Sequence, residues 1–110
     1  MVTATLRVVV PESKRREVLQ ALRSLRGPTE AHGGCRGYHV YWDDGDENAL
    51  LLVQEWATQA ALDRYIRSDL YRTVLAVIET AHEPPDIRFD TVAQRAGMEI
   101  VEAAREGHAS

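Results

Sequence analysis

Apolar and polar positions alternate from Val2 to Val10, with Ala4, Leu6 and Val8 on one side and Thr3, Thr5 and Arg7 on the other. That is the two-residue period of a β-strand. Pro11 has no N–H to give a ladder and ends the run. From Glu12 the period lengthens to that of a helix: Val18, Leu22 and Leu25 share a face with Leu19 and Ala21, and Lys14, Arg15, Arg16 and Arg23 are left for water. Gly27 followed by Pro28 predicts the stop. A glycine-containing loop leads to Cys35, and Arg36 to Asp43 alternates again, Tyr38, Val40 and Trp42 against Gly37, His39 and Tyr41. The turn formers from Asp43 to Asn48 close a hairpin onto a third strand, Ala49 to Trp56. Thr58 caps a short helix whose Leu62, Tyr65 and Ile66 share a face, and Ser68 caps a second one burying Leu70, Val74 and Ile78, with Tyr71 and Leu75 alongside. Glu83-Pro84-Pro85 ends it. Asp86 to Val92 reads as a fourth strand, with Ile87 and Phe89 facing one way.

The order strand, helix, strand, strand, broken helix, strand predicts an α+β fold. With one tight hairpin and a right-handed crossover, its economical form is a ferredoxin-like βαββαβ unit: a four-stranded antiparallel sheet with the helices on one face. This unit takes residues 1–92. Residues 93–110 form a C-terminal extension in which Met98, Val101 and Ala104 space a short helix over 98–105. Leu50, Leu51, Leu52 and Val53 place apolar side chains on both faces of the sheet, as do Val8, Val9 and Val10. Helices cover one face only, and a monomer seldom leaves several large aliphatic residues together in water. A homodimer with sheet packed on sheet is therefore expected.

A length of 110 residues is one domain. The net charge of -4 leaves no basic excess for nucleic acid or an anionic membrane. No apolar run approaches a membrane span, and the start of the chain does not read as a signal peptide. Cys35, the single cysteine, excludes an intrachain disulfide and fits a reducing, cytoplasmic setting. Its own role is that of a small residue packed at a strand start. His32, His82 and His108 are scattered and lack ligand spacing, so no metal is predicted.

Gly34-Cys35 with Tyr38 and Tyr41, the strand ending Leu52-Val53-Gln54-Glu55-Trp56, Ala61-Leu62 in the next helix and Ser68 with Tyr71 form a set of motifs at defined spacing. Together they resemble the antibiotic biosynthesis monooxygenase domain family over roughly residues 1–92, with Gly33 where the family usually has proline. The resemblance implies a dimeric α+β barrel and includes quinol monooxygenases. These activate dioxygen with no cofactor: neither metal, flavin nor haem takes part, and a deprotonated polyphenol supplies the electron. It also implies a pocket between sheet and helices. Trp56 matches the family's tryptophan, whereas the asparagine four residues before it falls on Leu52, which has no amide. The histidine and tryptophan of the haem-degrading branch fall on Leu75 and Tyr65, so haem chemistry is not implied.

Five residues are expected to shape a site for a small aromatic molecule. Leu52, Gln54 and Trp56 share strand parity, and Tyr65 and Tyr71 roof the cavity. For each a structural role competes: core packing for Trp56, a backbone partner for Gln54, a hydroxyl reaching water for the tyrosines. His39 is the general-base candidate by residue type, with an outward or interface position as the alternative. Glu55 has the opposite parity to Trp56 and is expected to pair at the dimer interface. The function expected is a cofactor-independent monooxygenase of a quinol or polyphenol; the alternative is a non-enzymatic barrel that binds or senses a small molecule.

Overall fold

The computed structural model describes residues 1–109, apart from the side chains of His108 and Ala109. Four strands, β1 (Val2–Val9), β2 (Cys35–Asp43), β3 (Asp46–Trp56) and β4 (Asp86–Thr91), form one antiparallel sheet in the order β2-β3-β1-β4. This is the expected ferredoxin-like arrangement. The helices α1 (Arg15–Glu30), α2 (Gln59–Arg67) and α3 (Tyr71–Thr80) complete the split βαββαβ unit, and α4 (Met98–Ala109) follows it.

Register decides which side chains the helices bury. Leu6 stands opposite Leu52 and Ile87, and Ala4 opposite Gln54 and Phe89. Tyr38 pairs with Gln54 across the other edge of β3. These residues share the helix side, where Val8, Leu50, Leu52, Leu22, Leu62 and Val74 form the core. Thr3, Thr5, Leu51, Val53, Glu55, His39 and Tyr41 occupy the other face, which no helix covers. There Leu51 and Val53 are half-buried and Tyr41 is 51% exposed. Arg7 joins Asp43 across this face at 3.0 Å.

Two helix boundaries differ from the sequence expectation. The first helix does not stop at Gly27-Pro28 but runs on to Glu30. Gly27 never enters the left-handed region, and the buried stripe of Val18, Leu22 and Leu25 continues to Thr29, so packing carries the helix through its proline. Gly34 is the residue that turns the chain, at φ 89°; a Cβ there would collide with the Ala61 side chain of α2. Gly34 also accepts a hydrogen bond from Ala57 N at 2.8 Å, tying the loop to the end of β3.

Ser68 does not open α3. Its hydroxyl donates to the Tyr65 carbonyl at 2.6 Å and closes α2 instead. Thr58 does cap α2, accepting from Ala61 N at 3.1 Å. The buried face of α3 is Tyr71, Val74 and Val77, while Leu70 and Ile78 pack only partly and Leu75 is 49% exposed. Ile66 is likewise exposed on α2. α3 packs against α1, and at the β4 edge of the sheet Ile87 and Phe89 stay 42% and 45% exposed. No helix is long and apolar enough to cross a membrane among the described residues.

Candidate functional site

The strand-end tryptophan is fully buried. Trp56 stacks on Tyr65 of α2, ring centroids 4.7 Å apart and planes 29° apart. Tyr65 meets the edge of Tyr71 at 5.4 Å, so the three rings form a column from the end of β3 to the start of α3. Each contact is an arrangement the ring quadrupoles favour. At the closed end of the column His32 sits edge-on to both Trp56 and Tyr65, at 5.9 and 5.8 Å.

Gln54, also buried, turns its amide into this column and donates from Nε2 to the Tyr65 phenol at 2.9 Å. Its partner is therefore a side chain, where a backbone partner was expected. The Thr29 hydroxyl lies beside the same phenol, close enough to favour its ionised form, but without the geometry of a hydrogen bond. Trp56 Nε1, His32 Nδ1 and Thr29 Oγ1 are buried with no hydrogen-bond partner.

Beyond Tyr71 the column meets a cleft at the β4 edge. Leu52 and Gln54 form its floor, Tyr71 and Val74 its roof, and Ile87 and Phe89 its mouth. The centre of a water can move through about 10 Å³ there, the room of a single water molecule. Leu52, Gln54 and Tyr71 thus come together around a cavity, whereas Trp56 and Tyr65 stand behind Tyr71 as its packed wall. His39 is apart from all of them: it pairs with Val53, points from the uncovered face and stacks loosely on Tyr41 at 6.0 Å.

Burial pushes the phenols of Tyr65 and Tyr71 above their ordinary value of 10, the Gln54 bond partly offsetting it at Tyr65. Near neutral pH both are donors of hydrogen bonds and poor acceptors of protons. Burial also raises the Cys35 thiol, with the Gly37 backbone partly opposing the rise and Glu30 adding to it, which makes the sulfur a weak nucleophile. Tyr38, bonded to the Leu22 carbonyl at 2.5 Å, is raised further by the same cause.

His32, weighed from sequence only as a metal ligand, is the site residue that sequence reading missed. Its position in a polar loop carried no periodic signal; the turn at Gly34, the bond from His32 N to the Thr29 carbonyl at 3.0 Å and that from Cys35 N to the His32 carbonyl at 3.1 Å shape the loop beside Trp56.

The sequence model of the antibiotic biosynthesis monooxygenase family matches residues 1–77. An uncharacterized protein of Synechocystis sp. is 24% identical over 80 residues, 73% of this chain and 50% of that protein, so the chain spans about half the length of this curated relative. A Mycobacterium tuberculosis protein of solved structure superposes with a TM-score of 0.78 at 24% identity, covering 87% of this chain and 98% of that one. A crystal structure of an antibiotic biosynthesis monooxygenase aligns at 0.76 with 19% identity, over 86% of this chain and 100% of that one. A conserved protein of Methanosarcina mazei aligns at 0.75 with 24% identity, over 81% and 89%.

Proposed function

Because the chain belongs to the antibiotic biosynthesis monooxygenase family, we propose that it is a cofactor-independent monooxygenase whose substrate is an electron-rich quinol or polyphenol bound in the cleft at the β4 edge. The observation that carries this reading is the buried Gln54 amide on the cleft floor, held by Tyr65. Leu52 occupies the position where an amide was expected from the resemblance. Gln54 lies two residues on with the same parity and supplies an amide to the same side of the sheet. Its N–H and the Tyr71 O–H can stabilise a phenolate as it forms in a site poor in water.

The chemistry then belongs to substrate and dioxygen. Loss of the phenolic proton raises the ring's electron density, one electron passes to dioxygen, and recombination forms a carbon–oxygen bond. For a ring methylene the products are a carbonyl and water: one oxygen atom enters the substrate, and the other leaves with the two former C–H hydrogens. The protein's part is to orient the ring and keep solvent out. With room for one water, the cleft admits a ring only when Tyr71 or Phe89 moves aside. Phe89, 45% exposed, is the less enclosed of the two.

Homodimerisation through the uncovered face accompanies this reading. Leu51, Val53 and Tyr41 supply the apolar centre, with Arg7, Asp43, His39 and Glu55 around it. The alternative, a barrel that binds a small molecule without turnover, draws on Leu52 and on the absence of an ordinary-range proton acceptor among the named cleft side chains. Oxygen uptake with naphthohydroquinones and anthrones separates the two. Uptake above the no-protein rate that falls at least tenfold in Gln54→Leu and recovers partly in Gln54→Asn supports the monooxygenase. Saturable quenching of tryptophan fluorescence without uptake supports the binding barrel.

A further inference from the structure

The register lines up rows of side chains across the helix side of the sheet. One row runs from Gln54 on β3 through Ala4 on β1 to Phe89 on β4. Of these three strands β1 is the middle one. Opposed residues on one face stand side by side, and neighbouring strands are about 4.8 Å apart, so the amide and the phenyl ring rise from backbones about 10 Å apart. Between them stands a single methyl group. In the rows on either side β1 carries Leu6 and Val2, both buried and both branched. Ala4 is therefore a low point in the packing surface of β1, and it coincides with the cleft. Gln54, Ala4 and Phe89 all line that cleft, under Tyr71 and Val74.

The order of the row sets the path of a ligand. Phe89, 45% exposed, stands at the mouth, and Gln54, 4% exposed, stands at the inner end. A ring that enters past Phe89 and brings an oxygen to Gln54 has to lie over Ala4. An amide nitrogen carries two N–H groups. Tyr65 takes one of them at 2.9 Å, and the other is the donor for that oxygen. Leu6 and Val2 flank Ala4 along β1, so the open direction is the row itself, longer than it is wide. That shape suits flat, linearly fused rings better than a branched or puckered molecule.

We propose that Ala4 is the specificity-determining residue of the cleft: it seats the hydroxylated ring of a flat, fused-ring phenol, whose trailing ring then lies against Phe89. This inference rests on the cleft being the substrate site, as proposed above. One extra methylene in an apolar pocket separates ligands by about 10–200-fold, so a side chain two carbons larger at position 4 closes the seat.

The test uses the full-length chain and two ligands that bind without turnover, 1-hydroxyanthraquinone with three rings and 2-hydroxyacetophenone with one. In protein isotope-labelled at the alanine methyl carbons, the Ala4 resonance is assigned by its loss in Ala4→Gly. On addition of 1-hydroxyanthraquinone the ring current should shift it more than any other alanine. Saturable binding with the largest shift elsewhere overturns the seat, and so does no binding up to the solubility of the ligand. Ala4→Val should weaken both ligands at least tenfold in equilibrium dialysis; an unchanged dissociation constant in a folded variant also overturns it. If Ala4→Val does not fold, the methyl shift in the unmodified chain decides. The three-ring ligand should bind at least tenfold more tightly than the one-ring ligand, and Phe89→Ala should remove that advantage. An advantage kept in Phe89→Ala overturns the fused-ring assignment. Oxygen uptake with anthrone separates the seat from the reading beneath it. The methyl shift without uptake above the no-protein rate leaves the seat standing and removes the monooxygenase. Uptake that Ala4→Val leaves unchanged removes the seat and keeps the monooxygenase.

Discussion

Tyr65 holds Gln54 at the same time as it stacks on Trp56: one ring, fully buried, contacts the tryptophan at 4.7 Å and accepts the amide at 2.9 Å. The wall of the cleft and its floor are therefore one mechanical unit. Tyr65→Phe keeps the stack but leaves the amide unpartnered, a cost of about 1–3 kcal/mol. Thermal unfolding should show it as a loss of several degrees. Trp56→Ala opens a cavity at about 3–5 kcal/mol, so an activity lost in that variant speaks to stability first. Comparing the two variants by Tm and by oxygen uptake separates the contributions.

Gly34 combines a positive φ with a close approach to Ala61. Gly34→Ala meets both penalties, and denaturant unfolding should give a loss greater than about 1 kcal/mol. Ala61→Gly in the same chain relieves the collision and leaves the φ cost. Because Ala61→Gly alone costs about 1 kcal/mol of helix propensity, the collision is read from a double-mutant cycle: Gly34→Ala should cost less in the Ala61→Gly chain than in the wild type, and an equal cost in both would show that the collision contributes nothing.

The buried tyrosines set an alkaline limit. Tyr38, Tyr65 and Tyr71 all have phenols raised above 10 by burial. For an acid whose folded value is raised, the contribution to stability is complete below the unfolded value and is lost as pH climbs past it, because the unfolded chain ionises first. Stability should fall as pH rises above about 10. Tyr71→Phe should make that slope shallower in urea midpoints taken from pH 8 to 11.

Asp43 sets an acid-side term of the opposite sign. Its carboxylate accepts from Gly45 N at 2.8 Å and from Arg7 at 3.0 Å, and both hold its value below the ordinary 3.8, the Gly45 bond contributing more. The contribution is present above that ordinary value and is lost as pH falls below it through the folded value. Asp43→Asn should lower stability at neutral pH and flatten the acid limb of the stability curve. An unchanged acid limb would mean that the turn and the Arg7 pair contribute nothing to folding.

If the proposed oxidation occurs, its pH dependence should follow the substrate. Tyr65 and Tyr71 stay protonated near neutral pH, and His39 stands on the other face of the sheet. The rate of oxygen uptake should rise with pH along the ionisation of each phenol in a substrate series, and His39→Ala should leave that profile in place. A bell-shaped profile independent of substrate acidity would require a protein base.

The elements that sequence reading placed well are those whose pattern is local. β1 follows from the alternation of Ala4 and Leu6 with Thr3, Thr5 and Arg7, and the start of α2 from the cap chemistry of Thr58, because a strand's two faces and a helix's free N–H groups impose their demands within a few residues. Gly27-Pro28 misled because a stop signal is weak beside the burial of Leu25 and Thr29 on one stripe. Ser68 misled because two helix ends competed for one hydroxyl, and α2 took it.

By itself the sequence determined the order of elements, the parity of side chains along each strand and the motif set that marks the family, since all three reside in spacing along the chain. Tertiary structure alone decided that Trp56, Tyr65 and His32 fill a common space, that Gln54 finds a phenol, and that α3 turns Leu75 outward and leaves Ile87 and Phe89 beside a cleft with room for one water. The reason is physical. Period and capping are short-range steric and hydrogen-bonding demands, whereas the filling of a volume depends on how segments far apart in sequence share it.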